Sequence, residues 1–153
     1  MSAEETLKKQ GILLPKIAPA LGSYIPVLRS GNLIYMSGVL SKSPKGEIFT
    51  GRGGQDSIER GQQAARLAVL GALAILKDYL GSLDKIERVV RLVGYVQSED
   101  SFKDHPKVLN GASDFLINLF GEEGKHTRSA VGVASLPMGA FVEIELTLEA
   151  GSK

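Results

Sequence analysis

The sequence predicts an α+β domain with element order β-β-α-β-α-β-β, in which two helices lie on one face of a mixed sheet. Residues 142–149 alternate strictly between apolar side chains and Glu or Thr, which is the period of a half-buried strand. Residues 56–80 and 104–120 carry apolar side chains at helical spacing. Right-handed strand–helix–strand crossovers then place both helices on the same side of the sheet.

The amino-terminal part of the chain predicts an irregular arm followed by a hairpin. Residues 4–10 are charged and predict a short helix that ends at Gly11, after which several prolines indicate irregular chain. Two short apolar runs, 25–29 and 33–37, flank a Ser-Gly-Asn turn and predict paired strands. Residues 39–55 are polar and rich in glycine, which predicts a loop of the kind that often borders a site.

The two long helices carry start and stop signals. Asp56 and Glu59 have the spacing of a capping box, and Gly81 follows the last apolar position of the first helix. Asp104 precedes a proline in the first turn of the second helix, so it is the predicted cap, and Gly121 ends that helix.

Three further strands are predicted in the second half of the chain. Residues 89–97 are β-branched, and Arg88 and Arg91 should point to opposite sides because they are an odd number of residues apart. The last two strands are predicted to pair across a Pro-Met-Gly turn. Arg128 begins the first of them and Glu143 lies in the second, so this pairing would bring the two side chains to the edges of one small site.

The composition limits the class of protein. At 153 residues the chain predicts one domain over residues 1–153, with an arm over 1–19 and a core over 20–150. The net charge of +1 favours neither nucleic acid nor an anionic membrane. The absence of cysteine excludes disulfides and thiolate metal sites, and two histidines make a histidine-rich metal site implausible. With no secretory signal and no bilayer-spanning run, the expected location is the cytoplasm.

Four short motifs, in order and spacing, resemble the reactive-intermediate deaminase family (RidA/YjgF-like, often labelled endoribonuclease L-PSP). They are Leu21-Gly22-Ser23-Tyr24, the segment 31–38, the segment 108–112, and Arg128-Ser129 with the Val-Glu-Ile-Glu of 142–145. The resemblance covers about residues 20–150. It implies a chorismate-mutase-like fold and a homotrimer with its sites in the clefts between subunits.

The resemblance also implies roles for individual residues. Arg128 would grip a substrate carboxylate, a task that suits a planar guanidinium, and Glu143 would handle water as a general acid or base. No metal or organic cofactor is implied. The remaining positions would contact or enclose the substrate: Tyr24, Ser37, Gly38, Val39, Asn110 and Ala130.

Pattern alone favours plainer interpretations of the same residues. A strand-end arginine is more often solvated or paired with an acid such as Glu145. Glu143 and Glu145 share one alternation, so periodicity cannot choose between them. The chain also departs from the family pattern, with Val39 where glutamine is common and Ala130 where many members have cysteine, and both changes make the pocket less polar.

The first hypothesis is hydrolytic deamination of short 2-imino or enamine acids, such as 2-aminoacrylate and 2-iminopropanoate, to 2-keto acids and ammonia. The partner would then be a small 2-imino or 2-keto acid. An alternative is a trimeric protein that binds a small carboxylate or regulates a partner without turnover. A ribonuclease is less favoured, because it would need basic and aromatic contacts to RNA that this composition lacks.

Overall fold

The computed structural model describes residues 1–151, and within them three α-helices and six strands form one sheet with a helical layer. In chain order these elements are α1 (Ala3–Lys9), β1 (Val27–Ser30), β2 (Leu33–Met36), β3 (Val39–Leu40), α2 (Ile58–Leu80), β4 (Ile86–Gln97), α3 (His105–Phe120), β5 (Thr127–Val133) and β6 (Val142–Ala150). The predicted mixed sheet with two long helices is confirmed.

The strand order of the sheet is β1-β2-β6-β4-β5, and β3 pairs with β6 beyond the end of β2. The predicted pairing of the last two strands is wrong, because β4 lies between β5 and β6. Its physical reason lies in the connection, since the eight residues 134–141 exceed the usual hairpin loop and pass the end of β4. β4 instead pairs parallel with β5 and antiparallel with β6.

The core lies between the helices and one face of the sheet. Even-numbered residues of β6 from Val142 to Leu148 are at most 2% exposed, whereas the odd-numbered ones are only half-buried. Small side chains on α2, such as Ala65, Ala68 and Ala72, are fully buried and let this helix lie close to the strands. Within residues 1–151 no helix packs on the opposite face of the sheet, which we call the open face.

The start of α2 differs by one residue from the prediction. Ser57 is the N-cap, because its hydroxyl accepts from the Arg60 N–H at 3.1 Å. The Asp56 carboxylate instead accepts from the Arg52 N–H at 2.8 Å and forms an ion pair with the Arg60 side chain. At the other end Gly81 closes the helix with φ of 85°, as predicted.

The bulged pairing of β4 overturns the prediction that Arg88 and Arg91 face opposite sides. The register with β6 shifts between Val89 and Arg91, so Arg88 lies opposite Glu149 and Arg91 lies opposite Thr147. Those two β6 residues share the open face, and both arginines therefore lie on it. An inserted residue interrupts the alternation on which the prediction depended.

Asp104 is the N-cap residue of α3, as predicted, but its side chain makes no cap hydrogen bond; Pro106 occupies the first turn and Gly121 ends the helix, also as predicted. None of the helices within residues 1–151 combines the length and apolarity needed to cross a membrane.

Gly111 on α3 sets how closely the two long helices approach. A Cβ at this position would lie 2.7 Å from the Cα of Gln62, which is backbone and cannot move aside. Gly111→Ala is therefore expected to lower the free energy of unfolding by about 1–3 kcal/mol, measured by urea denaturation.

Gly71→Ala is the matched control for this helix contact. A Cβ at Gly71 would meet only the Val39 Cγ1 methyl, at 3.2 Å, and alanine favours the helix, so we expect a change below about 1 kcal/mol. Equal stability of the Gly111→Ala protein and the wild type would contradict the close approach.

Candidate active site

Glu143 lies beside a break in the strand that neighbours it. β2 ends at Met36 and β3 begins at Val39, and the pairing with β6 shifts by one residue across this gap. Ser37 holds the break by donating its hydroxyl to the Ile25 carbonyl at 2.7 Å. A Cβ on Gly38 would overlap the Glu143 carboxylate, so a larger residue here would displace that side chain from the backbone.

The electrostatic environment separates Glu143 from Glu145. The Glu143 carboxylate is half-buried and has no hydrogen-bond or ion-pair partner among residues 1–151. Burial, and secondly the charge of Glu145, raise the pKa of Glu143 above its usual value. Glu145 instead accepts a hydrogen bond from the Tyr95 hydroxyl at 3.0 Å. Glu143 is therefore the carboxylate that is free to exchange a proton with a ligand.

A cavity of about 820 Å³ extends from Glu143 between the sheet edge, α2 and the amino-terminal arm. Five of the eight predicted site residues line this cavity. These are Tyr24, Ser37, Gly38, Val39 and Glu143.

Arg128 belongs to a second group of residues on the helical face. It lies opposite the buried Leu92 of β4, and its Nη1 donates to Asn110 Oδ1 at 2.8 Å and to Ser113 Oγ at 3.1 Å. Ala130, two residues further along β5, is half-buried on the same face. The three predicted residues Asn110, Arg128 and Ala130 thus lie together.

His126 and Ser113 hold Arg128 in place through a directed chain of hydrogen bonds. His126 Nδ1 lies 2.6 Å from the Gly124 carbonyl oxygen, so Nδ1 carries the proton in the neutral ring. Its Nε2 then accepts the Ser113 hydroxyl at 2.9 Å, and Ser113 Oγ accepts from Arg128. The sequence interpretation missed Ser113, although its spacing of three residues from Asn110 puts both on one helix face.

The two groups do not meet within one chain. β4 separates β5 from β6, a distance of about 10 Å across two strand spacings. Arg128 also lies on the helical face, whereas Glu143 lies on the open face opposite Tyr95. A site that uses both residues therefore needs a second chain. Within residues 1–151, no cluster of three His, Asp or Glu side chains is arranged to hold a metal ion.

Comparisons with known proteins agree with this architecture. Residues 4–149 match the family model described as "YjgF/chorismate_mutase-like, putative endoribonuclease". Protein TCP17 of Trypanosoma cruzi is 41% identical over 145 residues, which cover 94% of this chain and 91% of that protein.

Two solved structures are similar over nearly their whole length. A protein of unknown function from Agrobacterium tumefaciens is 41% identical with a TM-score of 0.86, covering 97% of this chain and 94% of that one. A "putative endoribonuclease" from Shewanella oneidensis is 35% identical with a TM-score of 0.92, covering 97% and 99%. The matched motifs, the sheet and these relatives lead to one conclusion: the chain belongs to the YjgF/chorismate-mutase-like family.

Proposed function

We propose that this protein hydrolyses reactive 2-imino and enamine acids, of the 2-aminoacrylate and 2-iminopropanoate type, to 2-keto acids and ammonia. The observation that carries this proposal is the half-buried Glu143 carboxylate, which has a raised pKa and faces a cavity beside the Gly38 backbone. Such a group can take a proton from water and return it within one reaction.

In the proposed reaction Arg128 binds the substrate carboxylate and places the imine carbon near Glu143. Glu143 removes a proton from water while the water oxygen bonds to the imine carbon, and the imine nitrogen takes up a proton. Glu143 then takes the hydroxyl proton of the resulting carbinolamine and passes it to the amino group, which leaves as ammonia while the carbonyl forms, so that one imine and one water give one keto acid and one ammonia. Because an iminium carbon is already electrophilic, positioning and proton transfer are sufficient.

The proposal requires assembly, since Arg128 and Glu143 are separated in one chain. The open face exposes three apolar side chains, Leu28, Tyr35 and Val131, each more than 40% exposed. Burying such a face between copies is a common route to homo-oligomers. We expect a homotrimer in solution at micromolar concentration, measured by light scattering, and a stable monomer would contradict the shared site.

A mixing experiment tests whether the two groups act across a subunit boundary. At substrate concentrations well below the wild-type KM, the Arg128→Lys and Glu143→Gln proteins should each be nearly inactive alone. When they are unfolded together and reassembled at equal amounts, about a quarter of the sites combine one intact Arg128 with one intact Glu143 from another chain. We expect about a quarter of wild-type activity to return. No recovery in correctly assembled mixtures would place both residues in one chain's site or in none.

The imine assay itself decides between the enzyme and the alternatives. An amino-acid oxidase generates the imine in place, and ammonia release is compared with and without this protein. Ligand binding without turnover would support the non-catalytic carboxylate-binding protein. RNA cleavage would support the endoribonuclease named in the family description, although both histidines are engaged inside the fold, His105 with Ser98 and His126 with Ser113.

A further inference from the structure

We infer that the site prefers 2-imino acids with a branched or aromatic apolar side chain over three-carbon ones. This inference rests on the proposed function and names its substrate class. The substrate side chain would lie in the cavity between the amino-terminal arm and α2, with its reacting carbon beside Glu143.

The size of the cavity is the first argument. Its volume of about 820 Å³ is in the range of pockets that enclose ligands of many atoms, and a three-carbon acid would leave most of it empty. Glu143 on β6 lies next to Gly38 and Val39 of the neighbouring edge segment, and all three line the cavity, so the cavity continues from the reacting end rather than forming a separate site.

The chemistry of the walls is the second argument. α2 contributes Leu67, Gly71 and Ile75, and the arm contributes Ile17 and Leu21 on the other side. These side chains offer apolar contacts, which suits a hydrocarbon side chain. Among the described residues that line the cavity, Glu143 is the single acid, whereas Lys16 and Lys42 also line it and favour an anionic ligand.

The way the arm covers the sheet edge explains why this space exists. In the described part of the chain β1 pairs with β2 and not with β3, and β3 has β6 as its one neighbouring strand. Between Leu13 and Tyr24 the arm makes no hydrogen bond to the rest of residues 1–151. The edge is therefore covered by side chains rather than by a further strand, and a cavity remains between them.

Binding of unreactive 2-keto acids tests the inference independently of turnover. Calorimetric titrations compare pyruvate, 2-oxobutanoate, 4-methyl-2-oxopentanoate and phenylpyruvate, while kcat/KM is measured for the matching imines. Each buried methylene is worth about fourfold in affinity, so 4-methyl-2-oxopentanoate should bind about 10- to 100-fold more tightly than pyruvate. Equal affinity across the series would overturn the inference.

Substitutions of cavity residues test whether the substrate side chain lies in the cavity. Ile75→Asn should remove most of the preference by lowering the affinity for 4-methyl-2-oxopentanoate toward that for pyruvate, and Ile17→Asn, in the arm, should act in the same direction. Ile117→Asn is the matched control, because Ile117 is 37% exposed on α3 and does not line the cavity. A preference that survives both Ile75→Asn and Ile17→Asn would overturn the placement.

The same measurements separate this inference from the proposed function. Turnover of all imines with equal kcat/KM would leave the deaminase proposal intact and overturn the preference. A graded affinity for the keto acids with no imine turnover would support the preference and overturn the deaminase proposal.

Discussion

Glu143→Gln is expected to reduce imine turnover by about 10²- to 10⁴-fold, the usual cost of losing a general base. Glutamine keeps the shape of the side chain beside Gly38 and cannot take up the proton from water. Affinity for 2-oxobutanoate should change little, because Arg128 is the proposed carboxylate ligand. Turnover by ammonia release and affinity by calorimetry check both halves of this expectation.

Glu145→Gln is the matched control, because it shares the strand and the face with Glu143. It should keep most of the turnover, since an amide oxygen can still accept the Tyr95 hydroxyl. It should also change the pH profile. Burial raises the pKa of Glu143 most and the charge of Glu145 adds to it, so neutralising Glu145 lowers the pKa of Glu143.

The direction in which the pH profile of Glu145→Gln should move follows from the role of Glu143 as a base. Glu143 must be deprotonated to act, so the rate falls as the pH drops through its pKa. The acidic limb of the pH–rate profile should therefore move to lower pH in Glu145→Gln. An equal loss of turnover in both variants, or an unchanged profile, would remove the special role of Glu143.

Arg128→Lys is expected to weaken binding of 2-oxobutanoate by about 1.5–3 kcal/mol, the scale of hydrogen bonds to a charged group. Nη1 of Arg128 already donates hydrogen bonds to Asn110 and Ser113, so Nε and Nη2 remain for a ligand carboxylate. An ammonium group cannot hold both partners and reproduce the planar fork. Calorimetric titration measures the difference.

Arg88→Lys is the control for this substitution. Arg88 is a half-exposed arginine that forms an ion pair with Glu123, on the open face and away from Asn110. Its replacement should leave ligand affinity unchanged. Unchanged affinity in Arg128→Lys as well would rule out Arg128 as the carboxylate ligand.

The elements that the sequence predicted well are those with a local signal. α2, α3 and β6 follow from side-chain periods of 3.6 and 2, and Gly81 and Gly121 mark the helix ends. The pairing of β4 with both β5 and β6 has no such signal, because it joins residues far apart in the chain. Alternation along the sequence also cannot reveal the bulge after Val89, which places Arg88 and Arg91 on the same side of the sheet and not on opposite sides.

The sequence predicted a set of candidate site residues, which stays a prediction, and it did not predict their geometry. The motifs that resemble a known family named all eight positions, but the Pro-Met-Gly turn suggested that Arg128 and Glu143 lie on neighbouring strands. Alternation could not distinguish Glu143 from Glu145, because the difference lies in the contacts of Tyr95 and Gly38. Ser113 was missed because its partners, Arg128 and His126, lie beyond the end of its helix, where helical spacing gives no signal.

The central position of β6 has a consequence for how the protein is made. β6 joins the β1–β2 hairpin to the β4–β5 pair, yet it follows all of these strands in the chain. During synthesis the β1–β2 hairpin and the β4–β5 pair cannot join into one sheet until residues 142–150 have left the ribosome. Until then each of them has an unpaired edge. Nascent chains stalled before this point should be protease-sensitive and prone to associate through those edges, and chaperone dependence should end once β6 emerges.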